Sequence, residues 1–275
     1  MTSISSESIL SSLLAGDLFV GGVHVFDSVD STNDWALEQI RQGRALPFAC
    51  IADHQSHGRG RRGRRWLSPA GSNIYLSLAW QFSVQVSRLG VFSLAQGWAV
   101  VRALNRIGIH DAWLKWPNDV MIGERKIAGI LVETSGVRAD SCTVVAGIGL
   151  NCRMPGSINP GGEVSWTDVA HAARGGVPDR NELSAILLDE AADLCQRFQA
   201  SVDAVLAEVE SAIEVLKGRV VELRLDDGRQ FTGTVLGING LGELRAEVNG
   251  VERVFNSANV SLRRQPGSRA AGGPC

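Results

Sequence analysis

The sequence predicts an α+β fold: a mixed β-sheet flanked by helices, followed by a small all-β unit. Three observations lead there. Apolar runs such as Phe48-Ala49-Cys50-Ile51-Ala52 and Cys142-Thr143-Val144-Val145-Ala146 have the length of buried strands. They alternate with stretches of helical apolar period, most clearly residues 88–107 through Leu89, Phe92, Leu94, Trp98, Val101 and Leu104. From Gly218 the texture changes to short β-rich runs separated by Asp227-Gly228, Gly240 and Asn249-Gly250, the punctuation of a small antiparallel barrel or sandwich.

The chain of 275 residues is long enough for one large domain and one small one. We expect a large domain over 1–216, with 1–22 as a short N-terminal extension. A small domain over 217–265 follows, and then a disordered tail at 266–275, rich in Gly, Pro, Ser and Ala. With 44% hydrophobic and 20% charged residues the composition is that of an ordinary globular protein. Its net charge of −2 lacks the basic bias of a general nucleic-acid binder. The basic charge is local instead: the acid-free stretch 54–110 carries eight arginines. No run reaches the length of a membrane helix, and Met1 to Ser8 lacks the basic and apolar regions of a signal peptide. Five scattered cysteines without a C-x-x-C pair point to reduced thiols and a cytoplasmic protein. His54 and His57 have no third ligand nearby to complete a metal site.

The elements follow in order. Ile9, Leu10, Leu13 and Leu14 suggest one helix within 4–20, and His24-Val25-Phe26 a short strand. Asp30 or Ser31 is the expected N-cap of a helix carrying Trp35, Leu37 and Ile40, because its side-chain oxygen can accept a free helix N–H. The cluster Asp30-Ser31-Thr32-Asn33 holds more short polar side chains than one cap requires. Strands are expected at Pro47–Asp53 and Asn73–Trp80. Pro117 lacks an N–H, so the strand around Leu114 should end or bulge there. After the turn at Gly123, residues 126–133 return as a hairpin strand. Another strand at Cys142–Asn151 has Gly147 and Gly149 on one face, which suits either a bulge or the close approach of a ligand or a second backbone. Residues 153–165 read as a mobile Pro/Gly loop closed by Trp166. Helices are expected near 180–199 and 201–216, and strands at Val220–Leu225, Phe231–Ile238, Leu244–Val248 and Val251–Phe255.

The segment Gly58-Arg59-Gly60-Arg61-Arg62-Gly63-Arg64-Arg65-Trp66 dominates the chain chemically. Arginine offers a permanent charge and a fork of donors suited to carboxylate or phosphate oxygens. Glycine lets main-chain N–H groups approach a ligand. The letters satisfy G-x-G-x-x-G, but Pro69 and Gly71 prevent the helix that a dinucleotide site needs, and no acidic residue follows before Asp111. Taken alone, the loop is either a pliant anion clasp or a solvated basic patch that binds nucleic acid.

In order and spacing, Asp30-Ser31-Thr32-Asn33, Gln55, the arginine loop with Trp66, Lys115-Trp116-Pro117-Asn118-Asp119, Arg125 to Glu133, and Gly147-Ile148-Gly149-Leu150-Asn151 carry a resemblance. Across residues 24–265 the chain resembles bacterial biotin–protein ligases of the short type, those without an N-terminal DNA-binding domain. The resemblance implies a sheet like that of class II aminoacyl-tRNA synthetases with a C-terminal SH3-like barrel. It also implies a two-step reaction: biotin and MgATP give biotinyl-5′-AMP, and a lysine of a biotin carboxyl carrier domain then takes the biotinyl group.

The resemblance assigns the residues as follows. Arg61, Lys126 and Asp119 form the catalytic set. Ser31, Thr32, Asn33, Gln55, Arg59, Gly60, Arg61, Lys126 and Gly129 bind biotin, with Trp66 and Ile148 as apolar walls. Arg59, Arg61, Arg64, Trp66, Asn118, Lys126, Asn151 and Trp166 bind ATP. Asn118 and Asp119 lie where Mg²⁺ accompanies ATP, since hard cations prefer oxygen ligands; Asp119 could instead orient the carrier lysine or take its proton. No membrane or specific DNA partner is implied, and a homodimer is compatible with the resemblance. A lipoate–protein ligase and a phosphate- or nucleic-acid-binding regulator are the alternative readings.

Overall fold

The computed structural model describes residues 4–138, 140–156, 165–173, 176, 178–225, 227–256 and 260–264, the last five by their backbone. The expected tail 266–275 and the middle of the expected loop 153–165 lie outside the described residues.

Helix α1 (Ser6–Ser12) is capped by the Ser5 side chain, which accepts from the Ser8 N–H. It is shorter than the helix expected within 4–20. The Leu14 and Ala15 N–H groups donate to the Asp189 carboxylate at 3.2 and 2.8 Å, which draws the chain out of helical geometry, and a 3₁₀ turn follows at Gly16–Leu18. Then come β1 (Val23–Val29), α2 (Thr32–Arg41), β2 (Phe48–Gln55), β3 (Ile74–Phe82) and α3 (Leu89–Arg106). Next are β4 (Ala112–Lys115), β5 (Asp119–Ile122), β6 (Arg125–Ser135) and β7 (Cys142–Leu150). The strand expected around Leu114 is broken at Pro117 into β4 and β5, which pair as a hairpin. A one-turn helix, α4 (Val169–Ala172), not expected from the sequence, precedes α5 (Arg180–Ala200) and α6 (Val202–Ile213).

The seven strands form one sheet in the order β1-β2-β3-β7-β6-β5-β4. Only β1 and β2 are parallel, so the sheet is mixed. The period-2 alternation of strands divides its faces. Leu76 and Leu78 join the core under α3 and α5, where the rings of Phe82, Phe92 and Phe198 sit 5.0–5.3 Å apart. On the opposite face, Ala36 of α2 packs with Phe48, Cys50, Ala79 and Val145. This second face carries the site.

The last unit is a five-stranded antiparallel sheet of β8 (Val220–Leu225), β9 (Gln230–Ile238), β10 (Leu244–Val248), β11 (Val251–Phe255) and β12 (Val260–Arg264), in the order β11-β10-β9-β8-β12. Four of these strands were expected; β12 was not. The arrangement agrees with an SH3-like unit. Asn249 and Gly250 both take positive φ (54° and 75°), as the tight hairpin between β10 and β11 requires. The unit meets the large sheet's helices at the Asn239–Glu243 turn, where the Gly242 carbonyl accepts from the Trp116 indole at 3.0 Å. No helix among the described residues is long and apolar enough to cross a membrane.

Candidate active site

Strand register lays a groove across the second face. Cys50, Ser77, Gly147 and Leu131 pair in one row over β2, β3, β7 and β6. Two residues along, Ala52, Tyr75, Gly149, Gly129 and Asp119 form the next row. These positions require glycine because other side chains occupy the space a Cβ would take. A Cβ at Gly147 would lie 2.3 Å from Asn33 Oδ1, one at Gly149 2.4 Å from the Trp66 ring, and one at Gly129 2.9 Å from Lys126 Nζ. No register shift marks a bulge at Gly147 or Gly149, and the groups that fill the space are neither ligand nor backbone but the side chains of Asn33 and Trp66.

Above the groove lies a cavity of about 560 Å³, within the range of small-molecule sites. All the residues assigned by the resemblance line it: Ser31, Thr32, Asn33, Gln55, Arg59, Gly60, Arg61, Arg64, Trp66, Asn118, Asp119, Lys126, Gly129, Asn151 and Trp166. Ile148 lines it as well.

One end is polar and nearly dry. Ser31 caps α2, accepting from the Asp34 N–H, and this sets Thr32 and Asn33 on the first turn facing the sheet. Both are buried, at 4% and 3% exposure, so their polar atoms need partners. Gln55 Oε1 accepts from the Thr32 N–H at 2.9 Å and lies 3.1 Å from Thr32 Oγ1. Gln55 Nε2 donates to Ser68 at 3.0 Å, tying the far end of the arginine loop to β2. Asn33 Nδ2 donates to Glu133 and to the Leu131 carbonyl at 2.8 and 3.3 Å. Ser77 Oγ lies 2.6 Å from Asn33 Oδ1 and 2.8 Å from Thr32 Oγ1. Burial pushes the Cys50 thiol far above its ordinary range, so it acts as a packed donor to the Thr32 carbonyl rather than as a nucleophile.

The other end is cationic. The arginine loop folds back on itself: Arg59 bridges Arg65, and the Trp66 N–H donates to the Gly58 carbonyl at 2.8 Å. Between them a 3₁₀ turn at Arg61–Gly63 holds Arg62 at φ 59°. Arg61 donates to Asn118 Oδ1 at 3.1 Å, joining the loop to the β4–β5 turn. Asn118 Nδ2 donates to the Ile130 carbonyl at 2.7 Å, which fixes its oxygen toward the cavity side. Lys126 pairs with Asp119 at 2.5 Å and lies 5.1 Å from the Trp66 ring centroid. Its backbone is clamped by the 165–167 segment, which brings Trp166 alongside as a parallel bridge. Asn151 donates to the Thr167 carbonyl at 3.1 Å, anchoring the same segment. The Trp66 indole N–H is buried with no acceptor among the described residues.

Arg59 behaves differently from Arg61. Its guanidinium grips two carboxylates, Asp34 at 2.5 Å and Glu133 at 2.8 Å. Burial opposes its charge, but the hydrogen bonds and charges of Glu133 and Asp34 outweigh that and raise its pKa. In this arrangement Arg59 latches the loop to α2 and β6. Ser77 and Glu133 are the residues that sequence reasoning missed. Ser77 had one signal, a hydroxyl alone between Leu76 and Leu78 on a buried strand; Glu133 closes the segment 125–133 that carries the resemblance, which gave it no role of its own.

The comparisons agree with this geometry. Residues 25–151 match the model of the biotin/lipoate A/B protein ligase family. The bifunctional ligase/repressor BirA of Escherichia coli is 34% identical over 254 residues, covering 91% of this chain and 77% of that protein. The biotin–[acetyl-CoA-carboxylase] ligase of Mycobacterium tuberculosis is also 34% identical, over 84% of this chain and 85% of its own. Among solved structures, the biotin protein ligase of Aquifex aeolicus in complex with biotin and ATP superimposes with a TM-score of 0.72 at 28% identity, covering 89% of this chain and 99% of that one. Matches of this extent, on a chain whose cavity gathers a buried amide pocket and a cationic loop, place it in the biotin/lipoate A/B protein ligase family, among the biotin–protein ligases.

Proposed function

We propose that the protein activates biotin with ATP as biotinyl-5′-AMP and transfers the biotinyl group to a lysine of a carboxylase's biotin carboxyl carrier domain. The observation that carries this is the union, in one cavity, of a dry hydrogen-bonding pocket and a cluster of fixed cations. A ureido head offers two N–H donors and a carbonyl acceptor. Thr32, Asn33 and Gln55 supply the hydroxyl and amide groups that such a head requires. A dithiolane head has no comparable hydrogen-bonding groups, and would leave the lone pairs that this set still offers without a donor. That favours biotin over lipoate.

Bringing biotin's carboxylate to the α-phosphate sets like charges together, and preorganised cations lower that barrier. Lys126, mounted on β6 and clamped on both sides of its peptide, is the most rigidly held of them. Arg61 reaches the same region from the loop. Asp119 holds Lys126 in position before substrate arrives. The unpartnered Trp66 N–H suits an acceptor on the bound substrate. With the loop and Trp166 over the groove, water is kept from an acyl-adenylate that would otherwise hydrolyse. Mg²⁺ belongs to this scheme as part of the substrate MgATP. Among the described residues no three His, Cys, Asp or Glu side chains form a metal cage. Asn118 and Asp119 offer the one amide and one carboxylate oxygen that suit a cation held mainly by phosphates.

The test is biotin-dependent exchange of labelled pyrophosphate into ATP, followed by mass detection of biotin on a carrier domain. Both are expected. Exchange that proceeds without biotin, or a carrier that gains no mass, would sink the proposal.

A further inference from the structure

We propose that Ser77, outside the cavity lining, is a positioning residue that orients the head-group pocket and gives it selectivity for N–H donors. The inference rests on the biotin reading above and adds a residue to it.

The argument is one of counting protons. Both hydrogens of the Asn33 amide nitrogen have acceptors, Glu133 Oε2 and the Leu131 carbonyl. That fixes which end of the amide faces Ser77, and it is the oxygen, at 2.6 Å. An amide oxygen brings no proton, so Ser77 must supply the one between them. The alternative, Ser77 donating only to Thr32, leaves the closest of these oxygen pairs, at 2.6 Å, with nothing between them, where the repulsion is greatest. Thr32 then has one hydroxyl proton for two oxygens, Ser77 Oγ at 2.8 Å and Gln55 Oε1 at 3.1 Å, and whichever takes it, Thr32 Oγ1 has none left to donate. The remaining lone pairs of Thr32 Oγ1 and Asn33 Oδ1 are then the only capacity these two groups have left for a ligand. Both residues line the cavity; Ser77 itself is 0% exposed and acts only through them.

The strand register supports the same assignment. Ser77 pairs with Gly147, the glycine whose missing Cβ leaves room for Asn33 Oδ1. At one step of the β3–β7 ladder, one strand clears the space and the other supplies the proton. A wall of acceptors suits the two N–H groups of a urea and penalises a head group that cannot donate.

The test compares the wild type with Ser77→Ala and Ser77→Cys, using biotin and its two singly N-methylated ureido analogues in biotin-dependent pyrophosphate exchange. For Ser77→Ala the KM for biotin is expected to rise about tenfold, as for loss of one buried hydrogen bond. KM for ATP and kcat at saturating biotin should stay within about threefold of wild type. The wild type should discriminate against N-methylation, Ser77→Ala less so, and Ser77→Cys, with a weak S–H donor, should fall between. An unchanged KM for biotin overturns the inference. So does a joint rise of both KM values with a fall in kcat, which marks a merely structural role. If Ser77→Ala does not fold, Ser77→Cys decides by the same criteria. A wild type without biotin-dependent exchange overturns the proposed function and this inference together; an active wild type with no split overturns this inference alone.

Discussion

In the proposed reaction Lys126 carries the most weight, because its strand mount and its pairing with Asp119 fix a point charge at the groove. Replacing it with alanine is expected to slow adenylate formation by about 10²–10³-fold, as for loss of one preorganised electrostatic donor. Pyrophosphate release reports the rate, and an unaltered circular dichroism spectrum shows that the fold survives. Gly147 tests the pocket from the other side. Gly147→Ala drives a Cβ to 2.3 Å from Asn33 Oδ1, so Asn33 must move. Biotin affinity by calorimetry should fall about tenfold or more, while ATP affinity holds. The thiols give a third test. Burial raises the pKa values of Cys50, Cys142, Cys152 (to about 12) and Cys195. Maleimide labelling of the folded protein at pH 7–8, followed by peptide mapping, should therefore leave these four unmodified until denaturant is added. At this scale the sequence was legible wherever a side chain's type limits its use. Arg61, Lys126 and Gln55, singled out by type and spacing, line one cavity. Arg59 was harder to read, because the carboxylates that hold it come from positions 34 and 133, far off in sequence.

Between elements, the Arg59 latch joins the arginine loop to α2 through Asp34 and to β6 through Glu133, and Glu133 also accepts from Asn33. The ion pairs are partly exposed and are worth little singly, but here one carboxylate holds both a loop and a pocket amide. Glu133→Gln removes the charge and keeps the shape. Hydrogen exchange of the loop amides, including those of Gly60 and Trp66, should accelerate, with little change in α5. Protection equal to wild type would show that the loop's own backbone bonds suffice to hold it. The elements themselves were largely readable. Apolar period and turn residues located α3, α5 and most strands within a few residues. The N-terminal helix was not, because its end is set by the Asp189 carboxylate across the structure rather than by any local breaker.

At the scale of the molecule, the small β unit touches the segment that carries Asn118 and Asp119. Trp116 is 1% exposed, and its indole donates to the Gly242 carbonyl. Gly242 has φ +76°, and a Cβ there would lie 2.7 Å from the Val91 nitrogen at the start of α3. Gly242→Ala thus combines backbone strain with a clash at the seam, and should cost about 1–3 kcal/mol. Limited proteolysis between residues 213 and 220 should speed up, and adenylation should slow as the Trp116–Asp119 segment loses its backing. A cleavage rate equal to wild type would mean that the seam does not restrain the two units.

Residue type and spacing alone determined the α+β class, the change of texture at Gly218, and a cationic glycine loop set among short polar side chains. Those features are local: period, turn chemistry and charge act over a few residues and can be read in order. The tertiary structure alone decided that Ser77 lies under Asn33, that Arg59 turns to two carboxylates, and that Trp116 leans on the small unit. Each of these joins groups brought together by sheet register and chain crossing, and a hydrogen bond has no signature in sequence until its partner is in place.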